Sequence, residues 1–236
     1  MSCVARVAAA LGMLALAACT LPRPAGEQAA SGTAAGGAAP TASQLLAAVQ
    51  RDADGIDQSK DAATRTRLLA AASASAQQCL ARFVEAAACH YAQAQALGLM
   101  AQEHPVRAVA LLKNMLASLA RAEALDPGLD HAGPARLTAV VLLRAPPWPL
   151  GPGDVDAAVV AAQRAVQREP AYPPNLITLA QAQSKTGGAA QGRATFAKAQ
   201  QAVQAWAGTP TEAPDTVAAE RAKWQQAVAQ AVQALQ

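Results

Sequence analysis

Apolar residues recur at intervals of three and four from about residue 41 to the end of the chain, which is the spacing of one face of an α-helix. No stretch alternates apolar and polar residues over the length of a strand with enrichment in β-branched residues. The pattern therefore predicts an all-α fold. Hydrophobic residues make up 53% of the chain and many are alanine, so we expect closely approaching helices rather than a bulky core.

Caps and breakers divide this region into helices. Thr41 or Ser43 can cap the first helix. A third helix is expected to end before His104–Pro105 and a fourth at Asp126–Pro127–Gly128, because proline is not tolerated in a helix interior. A sixth helix begins after Gly153–Asp154. The residues expected to face the core in the first, second, fourth and sixth helices are Leu45, Leu46 and Val49; Leu68, Leu69, Ala72, Ala76 and Cys79; Val109, Leu112, Leu116 and Leu119; and Val155, Val159, Ala162 and Val166.

Matched residues repeat along the second half of the chain. The offsets between the three sets are 43 and then 34 residues, for Met115, Leu119, Ala122 and Pro127, then Ala158, Ala162, Ala165 and Pro170, then Gly192, Phe196, Ala199 and Gln204. A period of 34 is that of the tetratricopeptide repeat, and the chain resembles a degenerate array of that family. The resemblance implies antiparallel helical hairpins stacked as an α-solenoid, with hairpins at 41–105 and repeats at 106–207. An irregular alanine-rich bundle whose spacings coincide is the alternative.

Two segments differ from the repeats of this array, one inside it and one at its C-terminal end. The longer offset is explained by a proline-rich insertion at 144–152. A helix that starts at Pro214–Asp215 is expected to cap the array over residues 208–236, with Val217, Trp224, Val228 and Leu235 on its apolar face. A coiled-coil helix that makes a homo-oligomer is the alternative interpretation of this segment.

The first 18 residues are typical of a signal peptide, with Arg6 before roughly a dozen apolar residues, too few to span a bilayer, which takes roughly 20. Leu16-Ala17-Ala18-Cys19 resembles the bacterial lipobox, which implies a lipid-modified Cys19. Thr20 at the next position favours, by the same resemblance, the periplasmic face of the outer membrane. An ordinary secretory signal cleaved nearby, with Cys19 unmodified, is the alternative.

Residues 19–40 are rich in Ala, Gly, Pro, Ser and Thr and cannot bury enough apolar surface to fold by themselves. About 20 residues of this composition have a root-mean-square reach of about 25 Å. The segment therefore predicts a flexible tether between a lipid anchor and the folded part.

Cys79 and Cys89 remain once Cys3 leaves with the signal and Cys19 carries lipid, and an oxidising compartment favours a disulfide between them. On one unbroken helix they would lie roughly 15 Å apart, so a bond requires a turn, for which 82–85 is the candidate. Two separate buried thiols are the alternative.

The sequence offers little catalytic chemistry. His90, His104 and His131 lack the spacing of helical metal ligands, no nucleophile elbow or phosphate loop is present, and we expect no catalytic residue, metal or cofactor. The net charge of +3 is scattered and aromatic residues make up only 3%, which argues against nucleic-acid binding. Asp126, Asp130, Asp154 and Asp156 are expected at helix ends, where carboxylates complement the helix dipole.

Four residues are candidates for partner binding. Trp148, held by the prolines of an insertion that we expect to be extended, offers a large rigid surface. Arg136, Tyr172 and Asn175 are placed to line the concave side of the array. As alternatives, Trp148 folds back over the helices beneath it and Tyr172 is a packing wedge.

A second resemblance adds a function. The chain resembles the T component of TRAP transporters in three short segments. These are the stretch from Asp130 to Arg136, Ala145–Pro146 and Gly153–Asp154. That family implies a tetratricopeptide-type lipoprotein that works with a solute-binding protein, in some members as an oligomer. We therefore expect a membrane-anchored scaffold for an envelope protein, with ligand handling beside a transporter as the alternative. A cell-wall hydrolase is the third and least supported possibility.

Overall fold

The computed structural model describes residues 39–209 and 213–233. The predicted signal peptide, Cys19, the tether up to residue 38 and Leu235 lie outside these ranges. The described residues form nine α-helices and a short 3-10 helix, Pro105–Arg107, before the fourth; the α-helices are α1 Ala42–Gln58, α2 Ala62–Arg82, α3 Ala87–Glu103, α4 Ala108–Leu125, α5 Leu129–Arg144, α6 Val155–Arg168, α7 Pro173–Lys185, α8 Ala189–Ala205 and α9 Pro214–Gln233. This part of the chain contains no β-strand, so the all-α prediction is confirmed there.

Several helix ends follow directly from local side-chain chemistry. Thr41 caps α1 through a capping box with Gln44, and Asp61 and Asp154 cap α2 and α6 by accepting from the backbone N–H of Thr64 and Ala157. The breaks at residues 104–105 and 126–128 also lie where the sequence predicts them.

Neighbouring helices pack as hairpins. These pairs are α1 with α2, α3 with α4, α5 with α6 and α7 with α8, and each pair also packs on the next through α2 with α3, α4 with α5 and α6 with α7. The odd-numbered helices contact one another in turn, from α1 through α3, α5 and α7 to α9. Short connections between consecutive packed helices make them antiparallel, so the loops after α1, α3, α5 and α7 share one end of the body.

Alanine supplies much of the core. The largest buried cluster joins α1 to α5 around Leu119 and Tyr91, and a second joins α7, α8 and α9 around Phe196 and Trp224. Nine of the fully buried alanines are Ala72, Ala76, Ala92, Ala94, Ala122, Ala139, Ala162, Ala165 and Ala180. Their small side chains let the helix axes come close together.

The buried faces of α4 and α6 differ from the expected ones. In α4 the buried residues are Leu111, Met115, Leu119 and Ala122, and in α6 they are Ala158, Ala161, Ala162 and Ala165. Only Leu119 and Ala162 of the predicted sets are fully buried; the other six are half-buried. The prediction assumed that the larger aliphatic residues face the core. In α6 the neighbouring helices pack closely against the alanine face instead, and the valines lie at the edges of that face.

The matched repeat positions share an environment. Met115, Leu119 and Ala122 are buried, and so are their counterparts on α6 and α8. Pro127 and Pro170 follow the ends of α4 and α6, whereas Gln204 lies within α8. The first three positions of each set therefore mark a packing face, and the fourth marks a helix end only in the first two.

Candidate functional site

A left-handed turn lies at the start of α5, at Asp130, His131 and Ala132. Their φ angles are 51°, 51° and 61°. For residues with a Cβ atom this conformation costs roughly 1–2 kcal/mol per residue. Such a turn persists only where surrounding contacts hold it.

Arg136 holds the turn from within α5. Its Nη1 donates to the carbonyl oxygens of Asp130 and His131, at 3.2 and 3.1 Å, and its Nη2 donates to Asp130 Oδ2 at 3.0 Å. The Arg136 side chain is only 12% exposed. The charge-assisted bonds therefore form in a partly desolvated place, where they are stronger than at an open surface. Asp130 lies in the first turn of α5, as expected of a helix-end carboxylate, and its half-buried side chain also anchors this turn.

Tyr91 holds the same carboxylate from α3. Its hydroxyl donates to Asp130 Oδ2 at 2.6 Å, and the side chain is 1% exposed. Burial, and next the negative charge of Asp130, raise the pKa of Tyr91 well above its ordinary value. Gly133 makes room for this contact, because a Cβ atom there would lie 2.7 Å from Asp130 Oδ2 and would overlap the Tyr91 hydroxyl.

Asn175 ties the turn to α6 and α7. Its Nδ2 group lies within hydrogen-bonding distance of the carbonyl oxygens of His131, Ala165 and Glu169, at 3.0 to 3.2 Å, and its Oδ1 accepts from Arg136 at 3.1 Å. The carbonyls of Ala165 and Glu169 lie at the end of α6, and each also accepts a backbone N–H, from Glu169 and Tyr172 respectively. Asn175 is completely buried, so this candidate for partner binding positions the groups around it and cannot touch a partner directly.

Four aromatic rings surround the outer side of the turn. The His131 ring stacks on Tyr172 with centroids 4.3 Å apart, and Trp206 and Trp224 pack edge-on against Tyr172 at 5.3 and 5.7 Å. The Arg136 guanidinium lies 5.1 Å from the centre of the Tyr172 ring. These contacts give Tyr172 the role of a packing wedge that seats α9.

An open groove of about 930 Å³ runs along the side of the body. Helices α1, α3, α4, α5 and α9 contribute to its walls. Tyr91, Asp130 and Arg136 lie together in its lining, whereas Leu112, Met115 and Val140 are among its apolar groups. The left-handed turn and the Arg136 side chain that holds it therefore lie in the wall of the groove.

The insertion projects Trp148 into solvent. Trp148 is 85% exposed and Leu150 is 73% exposed, so Trp148 does not fold back over the helices. The loop is also not extended, since Gly153 N–H donates to the Pro146 carbonyl at 2.8 Å and Leu150 N–H to that of Pro147 at 3.0 Å. Prolines restrict φ at single residues but leave the chain free to turn between them. The structure therefore separates Trp148 from Arg136, Tyr172 and Asn175.

The structure joins Cys79 and Cys89 by a disulfide. Their Cα atoms are 5.1 Å apart, because the chain turns between the end of α2 at Arg82 and the start of α3 at Ala87. Both cysteines are buried beside Leu45. The bond therefore links the end of α2 to the start of α3, and it packs against α1 at the end of the body where α1 begins.

The histidines serve the fold. His90 Nε2 lies 2.8 Å from the Val84 carbonyl oxygen, and His131 belongs to the aromatic cluster. Within residues 39–209 and 213–233 no group of three His, Cys, Asp or Glu side chains could hold a metal ion. Over the same ranges, no helix combines the length and apolar character needed to cross a bilayer.

Sequence reasoning missed Tyr91 and Gly133. Tyr91 stands among alanines on a helix that is apolar on most sides, so its spacing carries no functional signal. Gly133 was visible only as part of the stretch from Asp130 to Arg136. Comparison with models of known protein families gives no match, and comparison with curated proteins gives none either. The functional interpretation therefore rests on the groove, the loop and the sequence motifs themselves.

Proposed function

We propose that this protein is a non-catalytic scaffold, anchored by lipid at Cys19 in the periplasmic leaflet of the outer membrane, which presents its groove to an envelope protein. The observation that carries this proposal is the groove of about 930 Å³ across successive helical hairpins. Apolar side chains such as Leu112 and Val140 favour burial of a partner's apolar face, and Gln50, Gln102 and Arg144 offer polar contacts.

The helix contacts support a tetratricopeptide-like solenoid. Hairpins that follow one another, with contacts between successive odd-numbered helices, are expected of such an array. Most of the groove walls come from odd-numbered helices, which form the concave side of a solenoid of this kind. A groove of this shape suits an amphipathic helix or an extended peptide.

Photocrosslinking in intact cells tests the scaffold role. A photoreactive amino acid replaces Gln102, which is exposed and lines the groove, and in a separate strain Gln163, which is exposed on α6 outside the groove. We expect reproducible protein adducts from position 102 and none of the same mass from position 163. Identical adducts from both positions, or none from position 102, would contradict a groove-bound partner.

Ligand handling beside a TRAP-type transporter is the alternative, and the size of the groove favours it specifically. Its volume lies within the range of about 300–1,000 Å³ that is common for small-molecule sites. The same crosslinking separates the two functions by the identity of the adduct. A solute-binding protein at position 102 supports the transporter role, whereas a component of assembly machinery supports the scaffold.

The lipid anchor is tested separately. Metabolic labelling with a palmitate analogue should mark the native chain and should be lost in Cys19→Ala, because the thiol of Cys19 is the proposed acceptor. Labelling that is equal in the two chains would remove the anchor from the proposal and leave the groove experiment unaffected.

A further inference from the structure

One end of the body carries a set of exposed apolar side chains. Val106 is fully exposed at 101%, Trp148 is 85% exposed and Leu150 is 73% exposed. Single exposed apolar residues are ordinary, but three large ones at one end, including a tryptophan, point to a contact surface. We call these three residues the apolar end.

The topology places these residues at the same end of the body. Val106 lies between α3 and α4, and Trp148 and Leu150 lie between α5 and α6. These two connections share one end of the body because the helices before them run in the same direction. The groove lining agrees, since it includes Gln102 beside the first connection and Pro146 within the second.

The loop that carries Trp148 is ordered by its own hydrogen bonds. Besides the bonds to Pro146 and Pro147, Asp154 N–H donates to the Leu142 carbonyl at 2.9 Å. Gly153 packs so closely that a Cβ atom would lie 2.8 Å from the Pro146 carbonyl oxygen. Trp148 is therefore held outward in advance of any contact, which lowers the entropy lost on binding.

We propose that the apolar end docks on the lipid bilayer, with Trp148 and Leu150 entering the interface between headgroups and acyl chains. Tryptophan concentrates at this depth because its ring is apolar and its N–H can reach water. The exposed Arg107 and Arg144 lie at this end of the body and can contact phosphate headgroups. Glu103 and Asp154 are exposed at the same end, so the apolar side chains rather than net charge carry the proposal. A tip that protrudes, with Trp148 85% exposed, fits a deformable interface better than the enclosed centre of a protein contact.

This inference rests on the proposed lipid anchor, and the tether is long enough for both contacts. Arg82 Nη1 donates to the Pro40 carbonyl at 2.9 Å, so the tether joins the body at the end opposite Trp148. One helix of 17 residues, such as α1, spans about 26 Å. The root-mean-square reach expected of the tether is about 25 Å and its fully extended length is about 66–72 Å, so a lipid on Cys19 and the ring of Trp148 can reach the same bilayer. A lipid anchor keeps the apolar end near the bilayer and so raises its effective concentration there. Even a weak contact between the apolar end and the bilayer is then formed much of the time.

Fluorescence quenching by brominated lipid tests the docking. The full lipidated chain is reconstituted into vesicles of phosphatidylethanolamine and phosphatidylglycerol, with or without phosphatidylcholine brominated on its acyl chains. We expect bromination to lower the tryptophan emission of the native chain and to leave that of Trp148→Ala nearly unchanged. Trp206 and Trp224 pack against the body and stay beyond the reach of the quencher.

A double variant is the matched control. Trp148→Ala combined with Val84→Trp keeps the number of tryptophans and places the third at an exposed position at the tether end of the body, where Val84 is 62% exposed. We expect no quenching from it. Equal quenching in the native chain and the double variant, or none in either, would overturn the docking.

Flotation of the same vesicles separates this result from the anchor. A native chain that floats with the vesicles but is not quenched keeps the anchor and refutes the docking. A chain that does not float refutes the anchor itself. If Trp148 is not quenched, but a photoreactive residue at position 148 forms a protein adduct in cells, the apolar end belongs to a protein contact and the bilayer proposal is wrong.

Discussion

Arg136 Nη1 and Asn175 Oδ1 lie 3.1 Å apart and join α5 to α7 behind the left-handed turn. The guanidinium holds the turn's carbonyl oxygens from one side, and the amide holds the His131 carbonyl and the end of α6 from the other. The sequence predicted both residues as candidates for partner binding. Their pairing makes them parts of one support, of which only Arg136 lines the groove.

Loss of the Asn175 amide should destabilise the whole body. Asn175→Ala removes a fully buried amide that donates two N–H groups toward the carbonyl oxygens of His131, Ala165 and Glu169 and accepts from Arg136. Each such hydrogen bond is worth about 0.5–1.5 kcal/mol. We expect the free energy of unfolding in urea to fall by about 3 kcal/mol. Asn114→Ala, at an exposed position on α4, is the matched control and should change it by less than about 0.5 kcal/mol. A similar loss in both variants would contradict the assigned role.

Tyr91 should make stability depend on alkaline pH. Burial and Asp130 raise the pKa of Tyr91 in the folded state above its ordinary value of 10.0. The unfolded chain therefore loses this proton at a lower pH than the folded chain does. Its contribution to stability is complete below about pH 10 and declines as the pH rises above that value. Relative to Tyr91→Phe, we expect a loss of up to about 1.4 kcal/mol per pH unit in the free energy of unfolding.

Urea unfolding of both chains between about pH 8 and pH 11 measures this difference. The comparison removes the titration of lysines and of Tyr172, which both chains share. Parallel curves for the two chains above pH 10 would show that Tyr91 is not held in its neutral form.

Reduction of the Cys79–Cys89 bond should have a measurable cost. The cysteines are 10 residues apart in sequence, and closing a loop of this size is worth about 3 kcal/mol in the chain-entropy description. Intact mass should rise by two hydrogen atoms when the chain is reduced. Cys79→Ala with Cys89→Ala should lose about the same stability as reduction does. No mass change on reduction would leave the two buried thiols as the correct interpretation.

Truncation of Trp224 should lower the stability of the protein strongly, whereas truncation of Trp148 should hardly change it. Trp224 is buried against Tyr172 and Trp206, and we expect Trp224→Ala to lower the free energy of unfolding by about 3–5 kcal/mol. Trp148 is exposed, so Trp148→Ala should change it by less than about 0.5 kcal/mol. Thermal unfolding of the two variants in parallel checks both values. A large loss from Trp148→Ala would show that the ring packs against the body after all.

The helices were predictable because their signals are local. Thr41, Asp61 and Asp154 have short side chains that bond backbone N–H groups three residues ahead, and prolines exclude the helix from their vicinity. The buried face of α6 was less predictable. Its valines are the larger apolar residues, but which side faces inward depends on how close α5 and α7 approach, and alanines permit the closest approach.

The sequence by itself determined the all-helical character, the main breaks between helices, the repeated small residues and the apolar loop around Trp148. All of these follow from spacing, caps and composition within a few turns of chain. It also carries Leu16-Ala17-Ala18-Cys19, whose resemblance to the lipobox depends on neighbouring residues alone, so the lipid at Cys19 stays a prediction.

Only the tertiary structure decided the left-handed turn and the groove it supports. Asp130, His131 and Ala132 each disfavour a positive φ, so no local signal predicts three of them in succession. The turn is held by Tyr91 and Asn175, which lie 39 residues before Asp130 and 44 residues after His131. Hydrogen bonds over such separations exist only once the helices have packed, and for that reason the chain folds into a site that its local pattern does not reveal.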